Sequence, residues 1–110
     1  MMTRRLNQED TRQIGIERGY DAGRHCISPV ISFVALLESE DHWHKLEEEY
    51  HQDAMETEEN ARQYSDFTRF ASLINEQGEN ESEELWNAYE CGVLKGIAIA
   101  FDEAKEKFKN

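Results

Sequence analysis

Proline is nearly absent from this 110-residue chain, with Pro29 the only one, and there are only two cysteines. A single interior proline leaves room for long helices and argues against a turn-rich β-protein. Cys26 and Cys91 are too few for a disulfide framework and lack metal-site spacing, so they read as small buried thiols. No run approaches the ~20 apolar residues of a membrane span. The opening Met-Met-Thr-Arg-Arg-Leu-Asn-Gln-Glu-Asp lacks the apolar core of a signal peptide, and the expectation is a cytoplasmic protein. Positive charge is scarce as well: 12 Lys and Arg stand against 24 Asp and Glu, for a formal net charge of −12. Direct binding to nucleic acid or to an anionic membrane through a broad basic face is thereby disfavoured.

What the chain does have is glycine in an ordered pattern. Small residues recur at every fourth position in two stretches, Gly15, Gly19 and Gly23 in the first and Ala88, Gly92, Gly96 and Ala100 in the second. On a helix that spacing forms one stripe, along which another backbone can approach closely. Each glycine inside a helix costs roughly 1 kcal/mol relative to alanine, so the five glycines need a compensating contact. The simplest is that the two stripes meet. With 38% hydrophobic and 33% charged residues, the chain reads as one acidic all-α domain over 1–110. The expected fold is a compact bundle of four to five helices whose long C-terminal helix packs closely on the N-terminal one through the Gly-xxx-Gly stripes. An antiparallel pairing with Gly23 near Gly92 would also bring Cys26 and Cys91 close enough for a bridge on air oxidation.

Start and stop signals divide the chain further. Asn7, followed by Glu9 and Asp10, caps a first helix running toward Cys26. Ser28 and Pro29 restart the chain into a short helix with Val30, Phe33, Val34 and Leu37 on its apolar face. Ser39 caps a third, with Trp43, Leu46, Tyr50 and Ala54 inward and acids outward, running toward Gln63. Ser65 caps a fourth, carrying Phe67, Phe70, Ala71 and Ile74. The stretch from Asn75 to Asn80 is a loop. Ser82 then caps a helix of about 27 residues, spanning roughly 40 Å, with Leu85, Tyr89, Val93, Ile97, Phe101 and Ala104 buried. A short local likeness, Gly19-Tyr20-Asp21-Ala22-Gly23 beside Gly92-Val93-Leu94-Lys95-Gly96, is compatible with a duplicated half or with convergent close packing.

Negative charge is concentrated in two places. From Glu38 to Glu59 ten acids meet one base, Lys45, and from Glu76 to Glu90 six glutamates meet none. Such a distribution either keeps helix faces solvated or forms a binding surface. Carboxylates one helical turn apart are about 6 Å from each other, comparable to phosphates along a nucleic-acid strand, and can enter the basic groove of a nucleic-acid-handling protein. The candidate acidic surface comprises Glu40, Asp41, Glu47, Glu48, Asp53, Glu56, Glu58 and Glu59, with Tyr64 and Trp86 as candidate aromatic anchors.

Other chemistry is thinly represented. His44, Glu47, Glu48 and His51 lie on one helical face, and Glu48 to His51 has the Glu-x-x-His spacing of di-iron bundles. No second copy exists in the chain, so such a site would need a symmetric dimer. His44, Glu48 and His51 are therefore the only metal candidates, and the expectation is no metal and no cofactor. No Gly-x-Ser-x-Gly setting, phosphate loop or catalytic cysteine motif is present, so a non-enzyme is expected.

The residues Tyr64-Ser65-Asp66-Phe67, Ile74-Asn75 and Leu85 through Ile97, together with Gly19 to Gly23, resemble small acidic helical proteins of phages and related mobile elements. The resemblance implies a host-interaction role, such as anti-restriction or anti-CRISPR inhibition. The expected function is a protein-binding inhibitor or adaptor, with a DNA-mimicking acidic surface set against a host protein that has a basic nucleic-acid-binding surface. The alternatives are a structural homo-oligomer, a homodimer included, without any nucleic-acid connection, and a carboxylate and histidine metal-binding bundle.

Overall fold

The computed structural model describes residues 6–26 and 40–109, with the side chains of 47–106 in the second stretch. Over these the chain forms four helices and no strand: α1 (Gln8–Cys26), α2 (Glu40–Ala61), α3 (Ser65–Asn75) and α4 (Glu79–Lys109). The short helix expected from Ser28 and Pro29 to Leu37, and the Ser39 cap, lie outside the described residues. No described helix is long and apolar enough to cross a membrane.

Local chemistry sets the helix ends. Asn7 caps α1: its Oδ1 accepts a hydrogen bond from the Asp10 backbone N–H at 2.7 Å, and its carbonyl takes the buried Thr11 hydroxyl at 2.8 Å. At α3 the expected cap moves by one residue. Tyr64 has the extended N-cap backbone without a side-chain cap bond, and Ser65 is the first helical residue. The loop predicted over Asn75 to Asn80 shortens to a turn at Glu76–Gly78. Gly78, at φ +104°, reverses the chain there. Consequently α4 starts one turn before Ser82, whose backbone N–H donates to the Gly78 carbonyl at 2.7 Å. The 31 residues of α4 extend to roughly 46 Å at 1.5 Å each.

The glycine stripes do meet, and α1 and α4 form the most extensive helix pair among the described residues. A β-carbon on Gly15 would strike the carbonyl oxygen of Tyr89, and one on Gly19 that of Val93. In return, a β-carbon on Gly92 would strike the Arg12 carbonyl, and one on Gly96 the Ile16 carbonyl. At Gly23 the obstacle is a side chain, the Ala100 Cβ at 2.8 Å. Position numbers rise together on both helices, so the pair is parallel, not antiparallel. An offset of 77 residues carries Gly15, Gly19 and Gly23 onto Gly92, Gly96 and Ala100, and Arg12 and Ile16 onto Tyr89 and Val93. The seam therefore has a local two-fold relation, in a register one helical turn from the one suggested by the short likeness of residues 19–23 and 92–96. Each glycine hydrogen facing a carbonyl is placed for a Cα–H···O contact, worth about 0.5–1 kcal/mol.

The parallel arrangement follows from the path of the chain. Along α4, Glu58 of α2 meets Tyr89 while His51 meets Phe101, so α2 runs antiparallel to α4. Phe67 of α3 meets Tyr89 while Asn75 meets Trp86, so α3 runs the same way as α2. Two helices end to end return the chain before α4 begins. The cysteines are separated as a result. Gly23 lies level with Ile97 and Ala100, which puts Cys26 about ten residues, roughly 15 Å, beyond the level of Cys91. That exceeds the ~7 Å Cα limit for a disulfide. Cys26 instead contacts the Thr57 hydroxyl at 3.3 Å, and Cys91 is exposed rather than buried.

Packed on the seam is a core of Ala54, Phe67, Tyr89, Val93, Ile97, Ala100 and Phe101. Phe67, Phe70, Trp86 and Tyr89 form an aromatic cluster with ring centroids 5.4–6.0 Å apart, which attaches α3 to α4.

Candidate functional site

One face of α2 carries the acids as the sequence suggested, with one exception that changes its chemistry. Glu48, Glu49, Asp53, Glu56 and Glu59 are exposed and Glu47 is half-buried. The side chains of Glu40 and Asp41 lie outside the described residues. Glu58, placed by sequence on the same surface, is only 2% exposed.

Its burial has a specific cause. From the turn just after α2, the Arg62 guanidinium grips the Glu58 carboxylate, with Nε 3.1 and 3.0 Å from the two oxygens and Nη2 2.7 Å from Oε2. From α4, the Tyr89 hydroxyl donates a short hydrogen bond to Oε1. From α1, Arg18 places Nε 3.6 Å from Oε1 and donates to the Tyr89 hydroxyl at 3.2 Å. The ring of Phe67, from α3, takes Arg18 at 4.8 Å and Arg62 at 5.7 Å over its face. All four helices thus converge on one carboxylate, and no described buried side-chain polar atom is left without a partner.

The cluster shifts the groups around it. Burial, reinforced by the bond to Glu58, pushes the Tyr89 phenol well above its ordinary pKa. For Arg62 burial opposes the charge, but the hydrogen bonds and charge of Glu58 outweigh it, and the pKa ends above the ordinary value. Removing one charged member of such a cluster leaves an uncompensated charge, which costs about 3–5 kcal/mol. Glu58 is therefore a structural residue and leaves the candidate binding surface.

Arg18, Arg62 and Tyr89 were not singled out as a group by the sequence. The i, i+4 spacing of Glu58 and Arg62 was a partial signal, but it is equally that of an exposed helix pair.

The remaining candidates divide clearly. Tyr64 is 73% exposed at the turn between α2 and α3. Trp86 is half-buried, not an exposed anchor: its Nε1 donates to Asn75 Oδ1 at 3.0 Å and its ring stands edge-on to Tyr89. For the metal candidates, the His44 side chain lies outside the described residues, Glu48 is exposed, and His51 sits edge-on to Phe101 at 6.0 Å. No group of three or more potential ligands comes together among the described residues. Gly15, Gly19, Gly23, Gly92 and Gly96 all lie in the α1–α4 seam.

Between α2 and α4, next to the buried carboxylate, a groove of about 170 Å³ opens to solvent. Met55, Val93 and Leu94 line it together with Glu58, Glu59, Arg62 and Glu90. No protein-family model, curated protein or solved structure matches the chain, so a functional reading rests on its own residues.

Proposed function

We propose that this protein is a non-enzymatic inhibitor or adaptor of mobile-element origin, working in the cytoplasm. Its acidic α2 face would bind a basic, nucleic-acid-handling or defence protein of a host. The observation that carries this reading is the set of exposed acids at Glu48, Glu49, Asp53, Glu56 and Glu59, on a helix whose sequence holds no Lys or Arg between residues 46 and 61. Arg62, just past the helix end, is engaged by Glu58, and Lys45 near the helix start is the one Lys or Arg within α2. Such a surface steers a cationic partner over long range and releases it as salt rises, since the Debye length is only about 10 Å at 0.1 M.

The test is capture from host lysate at low and high salt, with identification of the captured protein, comparing wild type with a Glu48→Lys, Asp53→Lys, Glu56→Lys variant. The expected result is one basic partner whose binding falls with salt and is lost in the variant. The variant should melt within about 0.5 kcal/mol of wild type, because exposed charges contribute little to stability. Equal capture by both proteins at both salt concentrations would remove the support for this reading. Salt-insensitive self-association in place of capture would favour a structural homo-oligomer.

A further inference from the structure

The groove between α2 and α4 has a composition of its own. Its floor is apolar: Val93 is buried, Met55 half-buried, and Leu94 is one of only two large hydrophobic side chains exposed among the described residues. Its two rims carry opposed acids, Glu59 from α2 and Glu90 from α4, both exposed. Neither makes a side-chain hydrogen bond or ion pair among the described residues, whereas Arg62 at the inner end is held by Glu58. The lining thus sets three carboxylates against one guanidinium. About 170 Å³ is more than ten times the ~10–15 Å³ that one water needs, which suits a side chain rather than a solvent molecule.

An occupant matching this groove has a long apolar stem and a cationic end. Lysine and arginine both have that form. Arginine fits better on two counts: its guanidinium is weakly hydrated, so it loses less on lying against Met55 and Leu94, and its planar fork can donate to carboxylates on both rims at once. We propose that the groove receives an arginine side chain of the protein partner, its stem on Met55, Val93 and Leu94 and its guanidinium paired with Glu59 and Glu90. The partner itself rests on the acidic-face reading above, but the groove can be examined without it.

The experiment is a methyl NMR titration of the full chain with Nα-acetyl-arginine N-methylamide, alongside the citrulline and lysine analogues. Saturable shifts should be confined to the Met55, Val93 and Leu94 methyls. Affinity should be about tenfold weaker for the uncharged citrulline analogue, and weaker by a similar factor in a Glu59→Gln, Glu90→Gln variant with an unchanged melt. Citrulline or lysine binding as tightly as arginine would overturn the proposal, as would equal shifts at the remote methyl groups of Ile14 or Ile74. Since no partner enters this titration, its failure alongside salt-dependent partner capture would overturn the arginine groove alone. Arginine binding in the groove alongside salt-insensitive capture would instead overturn the acidic-face reading.

Discussion

Two joints hold the described helices together, and they use opposite means. The α1–α4 seam brings backbones together by omitting side chains, and its stripe of Gly15, Gly19, Gly23, Gly92 and Gly96 contributes no apolar side chain. The attachment of α2 and α3 to the α1–α4 pair depends on large side chains, an aromatic cluster and a buried carboxylate gripped by two arginines and a tyrosine. The first joint tolerates almost no added volume, because Gly15, Gly19, Gly92 and Gly96 face carbonyl oxygens that cannot move aside. The second tolerates changes of shape but not of charge balance. The same amphipathic chain thus builds one interface limited by sterics and another limited by electrostatics.

The largest effect should come from adding volume to the seam. Gly19→Leu or Gly96→Leu is expected to cost several kcal/mol or to prevent folding, since overpacking costs ~1–3 kcal/mol even where side chains can adjust. Gly96→Ala sharpens the comparison: alanine favours a helix by about 1 kcal/mol, yet here its methyl would meet the Ile16 carbonyl, so the variant should be less stable in urea denaturation. A more stable Gly96→Ala protein would show that the seam is looser than described.

Next is the charge at the second joint. Glu58→Ala leaves Arg18 and Arg62 crowded together without their anion, and should destabilise by about 3–5 kcal/mol. Hydrogen exchange should show α2 and α3 losing protection before the α1–α4 pair does. Uniform loss over all four helices would mean that the two joints are not separable.

Smallest is Tyr89→Phe, which removes the hydroxyl bonded to Glu58 and should cost about 1–3 kcal/mol near neutral pH. A pH dependence accompanies it. The folded-state pKa of Tyr89 is raised, so its contribution is fully present below the ordinary tyrosine value and declines as pH rises past about 10 toward the folded pKa. Wild-type stability should therefore fall in alkaline solution, and more steeply than that of Tyr89→Phe. Parallel slopes in chemical melts between pH 8 and 11 would refute the link.

Much of the scaffold was legible one residue at a time. Asn7 caps the first helix because its side chain reaches its own first turn, a strictly local event. The glycine stripes predicted close backbone packing, since no other use of glycine at every fourth helical position offsets its cost so directly. Glu58 was misread for an equally physical reason: an acid among acids, four residues before an arginine, has the pattern of a solvated helix face. Its burial is decided by Tyr89, 31 residues away, and by Arg18 on another helix. Trp86 was misread in the same way, because its partner Asn75 lies across a turn.

By itself, then, the sequence determined the four described helices, the stripe that two of them share, and the acid-rich face of α2, because each depends on spacing along one helix. Tertiary structure decided the rest. The parallel sense of α1 and α4 was set by α2 and α3 returning end to end along α4, and the charge balance of the joint by residues from separate helices. These are long-range outcomes: helical periodicity fixes which side of a helix is apolar, but not which way its neighbour runs or which charge that neighbour brings.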